Sequence, residues 1–85
     1  MENIQLKKSV AISESGFIFH PGSGESFSVN ATGLEILNLL RQDMDSEEII
    51  RTLVQNYEMD QAELEKYFYD FIASLKQHHL IQDHD

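Results

Sequence analysis

The apolar pattern changes period once along this chain, at Val29-Asn30. Up to that point apolar and polar residues alternate, and beyond it apolar residues recur every three to four positions. Strands must therefore come first and helices after. Within residues 5–13, Val10 and Ile12 fall on one face and Ser9, Ala11 and Ser13 on the other, which reads as a first strand with its β-branched residues inward. Glu14-Ser15-Gly16 turns the chain. Phe17-Ile18-Phe19-His20 is a second strand with Phe17 and Phe19 sharing a face, and it stops at Pro21-Gly22-Ser23-Gly24, where proline cannot donate to a ladder and glycine supplies positive φ. Ser26-Phe27-Ser28-Val29 alternates strictly and makes a third. Connections this short imply an antiparallel meander whose first and third strands are outermost, leaving both edges unpaired unless something covers them.

Three helices follow. Asn30 is a good N-cap, and Leu34, Ile36, Leu37, Leu39 and Leu40 make the first helix apolar over most of its circumference, so it belongs in the middle of the domain. Asp45 with Glu48, and Asp60 with Glu63, each place a capping acid three residues ahead of a Glu, fixing two further helix starts. The second helix buries Ile49, Ile50, Leu53 and Val54 and runs up to Tyr57, while the third buries Leu64, Phe68, Phe71, Ile72 and Leu75. Leu80-Ile81 then clasps the core, and the polar, acidic end beyond it is expected to fray. The expected fold is α+β and winged helix-turn-helix-like, a three-stranded antiparallel meander followed by three helices. With 85 residues there is room for a single domain spanning 1–85, its core about 6–82.

Composition excludes several functions. Six Lys and Arg against 15 Asp and Glu give a formal charge of -9, so the basic footprint of a nucleic-acid binder is missing. The third helix, the recognition helix of a DNA-binding winged helix, offers Glu63, Glu65, Lys66, Asp70, Lys76 and Gln77, more acid than base. A transcription-factor-like winged helix is thus the runner-up reading. There is no cysteine, no apolar run long enough to span a bilayer and no apolar signal-peptide core, and a soluble cytoplasmic protein without a membrane partner is expected. The four histidines, His20, His78, His79 and His84, with Asp83 or Asp85 nearby, lack metal-ligand spacing and read as surface polar residues near the chain's end. Ser23, Ser26, Ser28 and His20 cluster in sequence, yet form neither a nucleophile elbow nor a phosphate loop. No catalytic residue, metal site or cofactor is assigned.

What remains is the third strand beside the third helix. An extended peptide can add to an exposed strand edge, with main-chain hydrogen bonds for affinity and a strand-helix groove for side-chain specificity. Ser26, Phe27, Ser28 and Val29 supply the strand, with Phe27 and Val29 in the floor. Tyr67 and Phe71 form the helix wall, and Lys66, Asp70 and Ser74 its rim. Phe27, Val29 and Phe71 also serve the core, which makes Tyr67, on the flank of the apolar stripe, the better probe of the groove. Edge pairing between two copies is the competing use of the same strand.

These residues also carry a resemblance. Gly16-Phe17-Ile18-Phe19, a Pro/Gly turn, Ser26-Phe27-Ser28-Val29-Asn30-Ala31-Thr32-Gly33 and Glu35-Ile36-Leu37-Asn38-Leu39-Leu40 resemble the PqqD family. The likeness continues through Ser46-Glu47-Glu48-Ile49-Ile50, Tyr57-Glu58-Met59-Asp60 and Phe71-Ile72-Ala73-Ser74-Leu75 to Leu80-Ile81, covering roughly residues 6–82. It implies a RiPP recognition element: a non-catalytic peptide chaperone that binds the leader segment of a ribosomally made precursor peptide and delivers it to a modifying enzyme, such as a radical SAM protein. The leader would add to the third strand, beside the third helix. Asn30, Thr32 and Gly33 match the family signature as cap and close-packing residues. Arg41-Gln42-Asp43-Met44-Asp45 departs from it, lacking the glycine often found between the first two helices. A monomer or an edge-paired dimer fits this reading.

Overall fold

A computed structural model describes residues 4–82. Three strands, β1 (Ala11–Ile12), β2 (Phe17–His20) and β3 (Glu25–Ser28), precede three helices, α1 (Ala31–Arg41), α2 (Ser46–Tyr57) and α3 (Gln61–Gln77). The sheet order is β1-β2-β3, antiparallel throughout, with Ile12 opposite Ile18 and Ile18 opposite Phe27. This is the α+β meander-then-helices order that the change of period predicts.

Gly16 anchors the sheet. It takes φ +93°, and a Cβ there would lie 2.8 Å from the Val29 carbonyl oxygen, so the β1–β2 turn tolerates no side chain. The Gly16 carbonyl in turn accepts from the Val29 N–H at 2.8 Å, which fixes the end of β3 against the start of β2.

The inner sheet face carries Ile18, buried, with Ile12, Phe27 and Val29 half-buried around it. Phe17 and Phe19 share the opposite face, where they are 58% and 46% exposed. α1 lies in the middle as expected, with Ile36, Leu37, Leu39 and Leu40 buried. α2 contributes Ile49, Ile50 and Leu53, and α3 contributes Leu64, Phe68, Ile72 and Leu75.

Each helix begins at its expected cap. The Asn30 side chain accepts from the Gly33 N–H at 2.8 Å, Asp45 from Glu48 at 2.9 Å and Asp60 from Glu63 at 3.3 Å. Such caps satisfy amides that have no partner inside the helix, each contributing about 1 kcal/mol.

The first strand is the main correction. Residues 5–13 do not run as one strand, because the chain turns at Lys7, whose carbonyl accepts from the Val10 N–H at 3.1 Å, and only Ala11 and Ile12 pair with β2. The segment before the turn joins the end of the chain instead. Leu6 bridges Ile81, Lys7 N–H donates to the Leu80 carbonyl at 3.0 Å, and Gln82 N–H donates to the Gln5 carbonyl at 2.7 Å. Leu80 and Ile81 are buried, so the expected clasp is present and the N-terminal segment is its second half. The third strand starts one residue earlier than expected, at Glu25. Asp83, His84 and Asp85, with the fraying expected there, lie outside the described residues.

Candidate functional site

The direction of each β3 amide follows from one hydrogen bond and the register. Val29 N–H bonds to Gly16, and the same register sets Ser28 opposite Phe17, Phe27 opposite Ile18 and Ser26 opposite Phe19. Hydrogen-bonded and non-bonded pairs alternate along an antiparallel ladder. Glu25, Phe27 and Val29 therefore aim their backbone groups at β2, while Ser26 and Ser28 aim theirs at the free edge. β2 obeys the same alternation, since the Phe17 carbonyl turns away from β3 to accept from the Ser13 N–H at 2.8 Å. Among the described residues nothing pairs with the outer edge of β3, and the isolated bridge between Leu6 and Ile81 is elsewhere.

The side chains of β3 divide the other way. Phe27 points to the helices and is half-buried, as is Val29, whereas Ser26 and Ser28 are exposed. On α3, Tyr67 and Phe71 are half-buried and one turn apart, with ring planes within 3° of parallel and centroids 6.5 Å apart. Lys66, Asp70 and Ser74 are exposed beside them. Every expected floor and wall residue thus sits at the border of the core, neither sealed inside it nor free of it.

Two features tie strand to wall. Asn30 Oδ1, which caps α1, also accepts from the Tyr67 hydroxyl at 3.1 Å, holding the phenol against the point where β3 passes into α1. Gly33 lets α3 approach: a Cβ there would lie 3.1 Å from Phe71 Cε1 and 3.2 Å from both Val29 Cβ and Asn30 Oδ1. The close-packing role of Gly33 and the capping role of Asn30 are both visible in these contacts.

The far end was not expected. His78, read from the sequence as a surface residue, is half-buried with its ring centroid 4.3 Å from that of Phe27. It follows α3 as the residue capping its C-terminus, so the end of the helix packs on the strand. His20 is also half-buried, its Nδ1 accepting from the Gly22 N–H at 3.1 Å and its Nε2 3.2 Å from the His79 carbonyl oxygen. A neutral ring protonated on Nε2 satisfies both contacts. The surface reading is corrected for these two histidines, because His78 packs on Phe27 of the hairpin and His20 of the hairpin reaches the His79 carbonyl after α3. No group of three His, Asp or Glu side chains converges as a metal site among the described residues.

Electrostatics around the groove are mild. Lys66 Nζ lies 3.4 Å from Asp70 Oδ2, both side chains being more than 70% exposed, so the pair adds little to stability. Behind Tyr67, Glu35 accepts from Tyr57 Oη at 2.6 Å and from Asn56 Nδ2 at 3.0 Å, latching α1 to the end of α2. The hydrogen bond to Glu35 raises the Tyr57 pKa above its ordinary value of 10.0, with smaller upward contributions from desolvation and the carboxylate charge. Hollows exist elsewhere: one of about 470 Å³ between α2 and α3, and one of about 450 Å³ beneath β1. An added strand, however, needs an open edge and a wall rather than an enclosed cavity.

With this geometry in place, the chain is comparable with known proteins. The family model described as "Coenzyme PQQ synthesis protein D (PqqD)" matches residues 16–81. No curated protein sequence matches. Two solved structures share the fold. One is described as "TbiB1 in Complex with the TbiA(beta) Leader Peptide", at TM-score 0.85 and 23% identity, covering 95% of this chain and 98% of that one. The other is described as "Lasso peptide synthetase B1 complexed with the leader peptide", at TM-score 0.84 and 21% identity, covering 96% of this chain and all of that one.

Proposed function

The chain belongs to the PqqD family, and from that membership we propose that it is a non-catalytic chaperone that binds the leader segment of a ribosomally made precursor peptide and presents it to a modifying enzyme. The observation that carries the proposal is the free edge of β3, where the backbone groups of Ser26 and Ser28 face outward beside the Tyr67–Phe71 wall. A leader entering there adds as a fourth strand. Its side chains then alternate between the groove over Phe27 and Val29 and the solvent face beside Ser26 and Ser28. Tyr67, Phe71 and Ser74 line its path on α3, and Lys66 and Asp70 meet its charged groups at the rim. Both solved structures of the same fold are described as holding leader peptides, which supports this occupant.

The working unit is one domain, with about residues 6–82 as its core and buried Ile4 joined to it, acting in the cytoplasm where precursor peptides are made. No helix of the described residues is long and apolar enough to cross a membrane. A radical SAM protein is one modifying enzyme that fits the family. Fluorescence anisotropy with a labelled candidate leader peptide tests the proposal. Saturable one-to-one binding, competed by unlabelled leader, supports it. Absence of binding contradicts it, and a mass by light scattering that doubles with concentration while the leader is excluded favours edge pairing of two copies instead.

A further inference from the structure

Half of the chain's cationic residues gather at the sheet edge away from the groove. Lys7 and Lys8 in the turn ahead of β1, and Arg41 at the end of α1, line the hollow of about 450 Å³ together with half-buried Ile12 and buried Leu40. Asp43 is the one acid among its lining residues, in a chain that carries 15 acids and only six Lys and Arg. Isolated surface cations are ordinary, but three that converge on one hollow repel one another and reduce stability unless a counter-charge arrives. The ion pair among the described residues is Lys66–Asp70, so none of the three has a carboxylate partner there.

We propose that this hollow docks an acidic segment of a partner protein, separately from the leader groove. The Arg41 guanidinium takes a carboxylate in bidentate fashion, Lys7 and Lys8 pair with its neighbours, and half-buried Ile12 and Val10 receive the intervening carbon chains. Net charge does not prevent this. At physiological ionic strength the screening length is about 8 Å, so a short segment in the hollow feels the local cations more than the distant acids. A long polyanion such as a nucleic acid extends past the hollow and meets the acidic remainder of the surface. Because β1 and β3 are opposite edges of the sheet, both sites can be filled at once, and the inference does not depend on what fills the groove.

The test uses fluorescein-labelled hexaglutamate and the full chain at physiological ionic strength. Lys8→Glu with Arg41→Glu reverses two exposed hollow charges, and Arg51→Glu with Lys76→Glu makes the same charge change elsewhere. The expected result is saturable binding that weakens at least tenfold in the first variant, less than threefold in the second, and steeply with added salt. Lys8→Gln with Arg41→Gln repeats the first arm if the charge reversal impairs folding, as judged by thermal melts. Absence of binding to the unaltered chain, or equal losses in both variants, overturns the proposal. Competition by low-millimolar inorganic phosphate also overturns it, because the hollow is then a simple anion site. So does binding that appears only after removal of residues 83–85, which would make the chain's own acidic end the occupant.

Discussion

Asn30 Oδ1 serves two donors, the Gly33 amide of the α1 cap and the Tyr67 hydroxyl on α3. Asn30→Ala should therefore cost about 1 kcal/mol of stability, lowering the melting temperature by about 4–8 °C, and should weaken leader binding as well. Tyr67→Ala separates the two effects. It removes a half-exposed ring whose loss is felt mainly in the groove, and leader affinity should fall about tenfold or more with a smaller loss of folding stability, compared by anisotropy and chemical denaturation. Equal losses in the two measurements count against a groove role. Tyr57 gives a pH signature at the other side of the same corner. Its folded-state pKa is raised by the hydrogen bond to Glu35, so its contribution persists up to the unfolded value near 10.0 and is lost as pH climbs through the folded one. The phenolate absorbance titration of the unaltered chain minus that of Tyr57→Phe should accordingly be displaced to higher pH than free tyrosine. A difference curve centred on the free value contradicts the latch.

At the scale of elements, β3 has two kinds of amide, and proline distinguishes them. Ser28→Pro removes an edge-facing N–H and should abolish leader binding with little damage to the fold, whereas Phe27→Pro removes one committed to β2 and should unfold the hairpin, both followed by circular dichroism and anisotropy. If the Ser28 variant unfolds while retaining no secondary structure, the alternation deduced from the Val29–Gly16 bond is wrong. The C-terminal clasp is an element in the same sense. Leu80→Ala should cost about 2–5 kcal/mol by leaving a cavity between α3 and the N-terminal segment. Helix starts at Asn30, Asp45 and Asp60 were legible in the sequence because a cap acts within three residues. The break in the first strand was not, because the alternation of Val10 and Ile12 gives no hint that Leu6 pairs with Ile81 rather than with β2.

For the whole molecule, the change of apolar period at Val29–Asn30 was enough to order strands before helices. The contacts at the two ends of the proposed groove were hidden, since His78 on Phe27 and Tyr67 on Asn30 join residues far apart in the chain. The outward direction of the Ser26 and Ser28 amides needed the register with β2, which no local pattern reveals. The charge of -9 sets a further expectation. Leader held by main-chain bonds should bind with only modest salt dependence, in contrast to the steep loss typical of phosphate binding. Amide hydrogen exchange, read residue by residue with and without leader, tests strand addition most directly. The Ser26 and Ser28 amides should exchange rapidly in the free chain and become strongly protected when leader is bound, with Phe27 protected in both states. Ser26 and Ser28 amides that are already protected in the free chain, or unchanged when leader saturates it, contradict strand addition at β3.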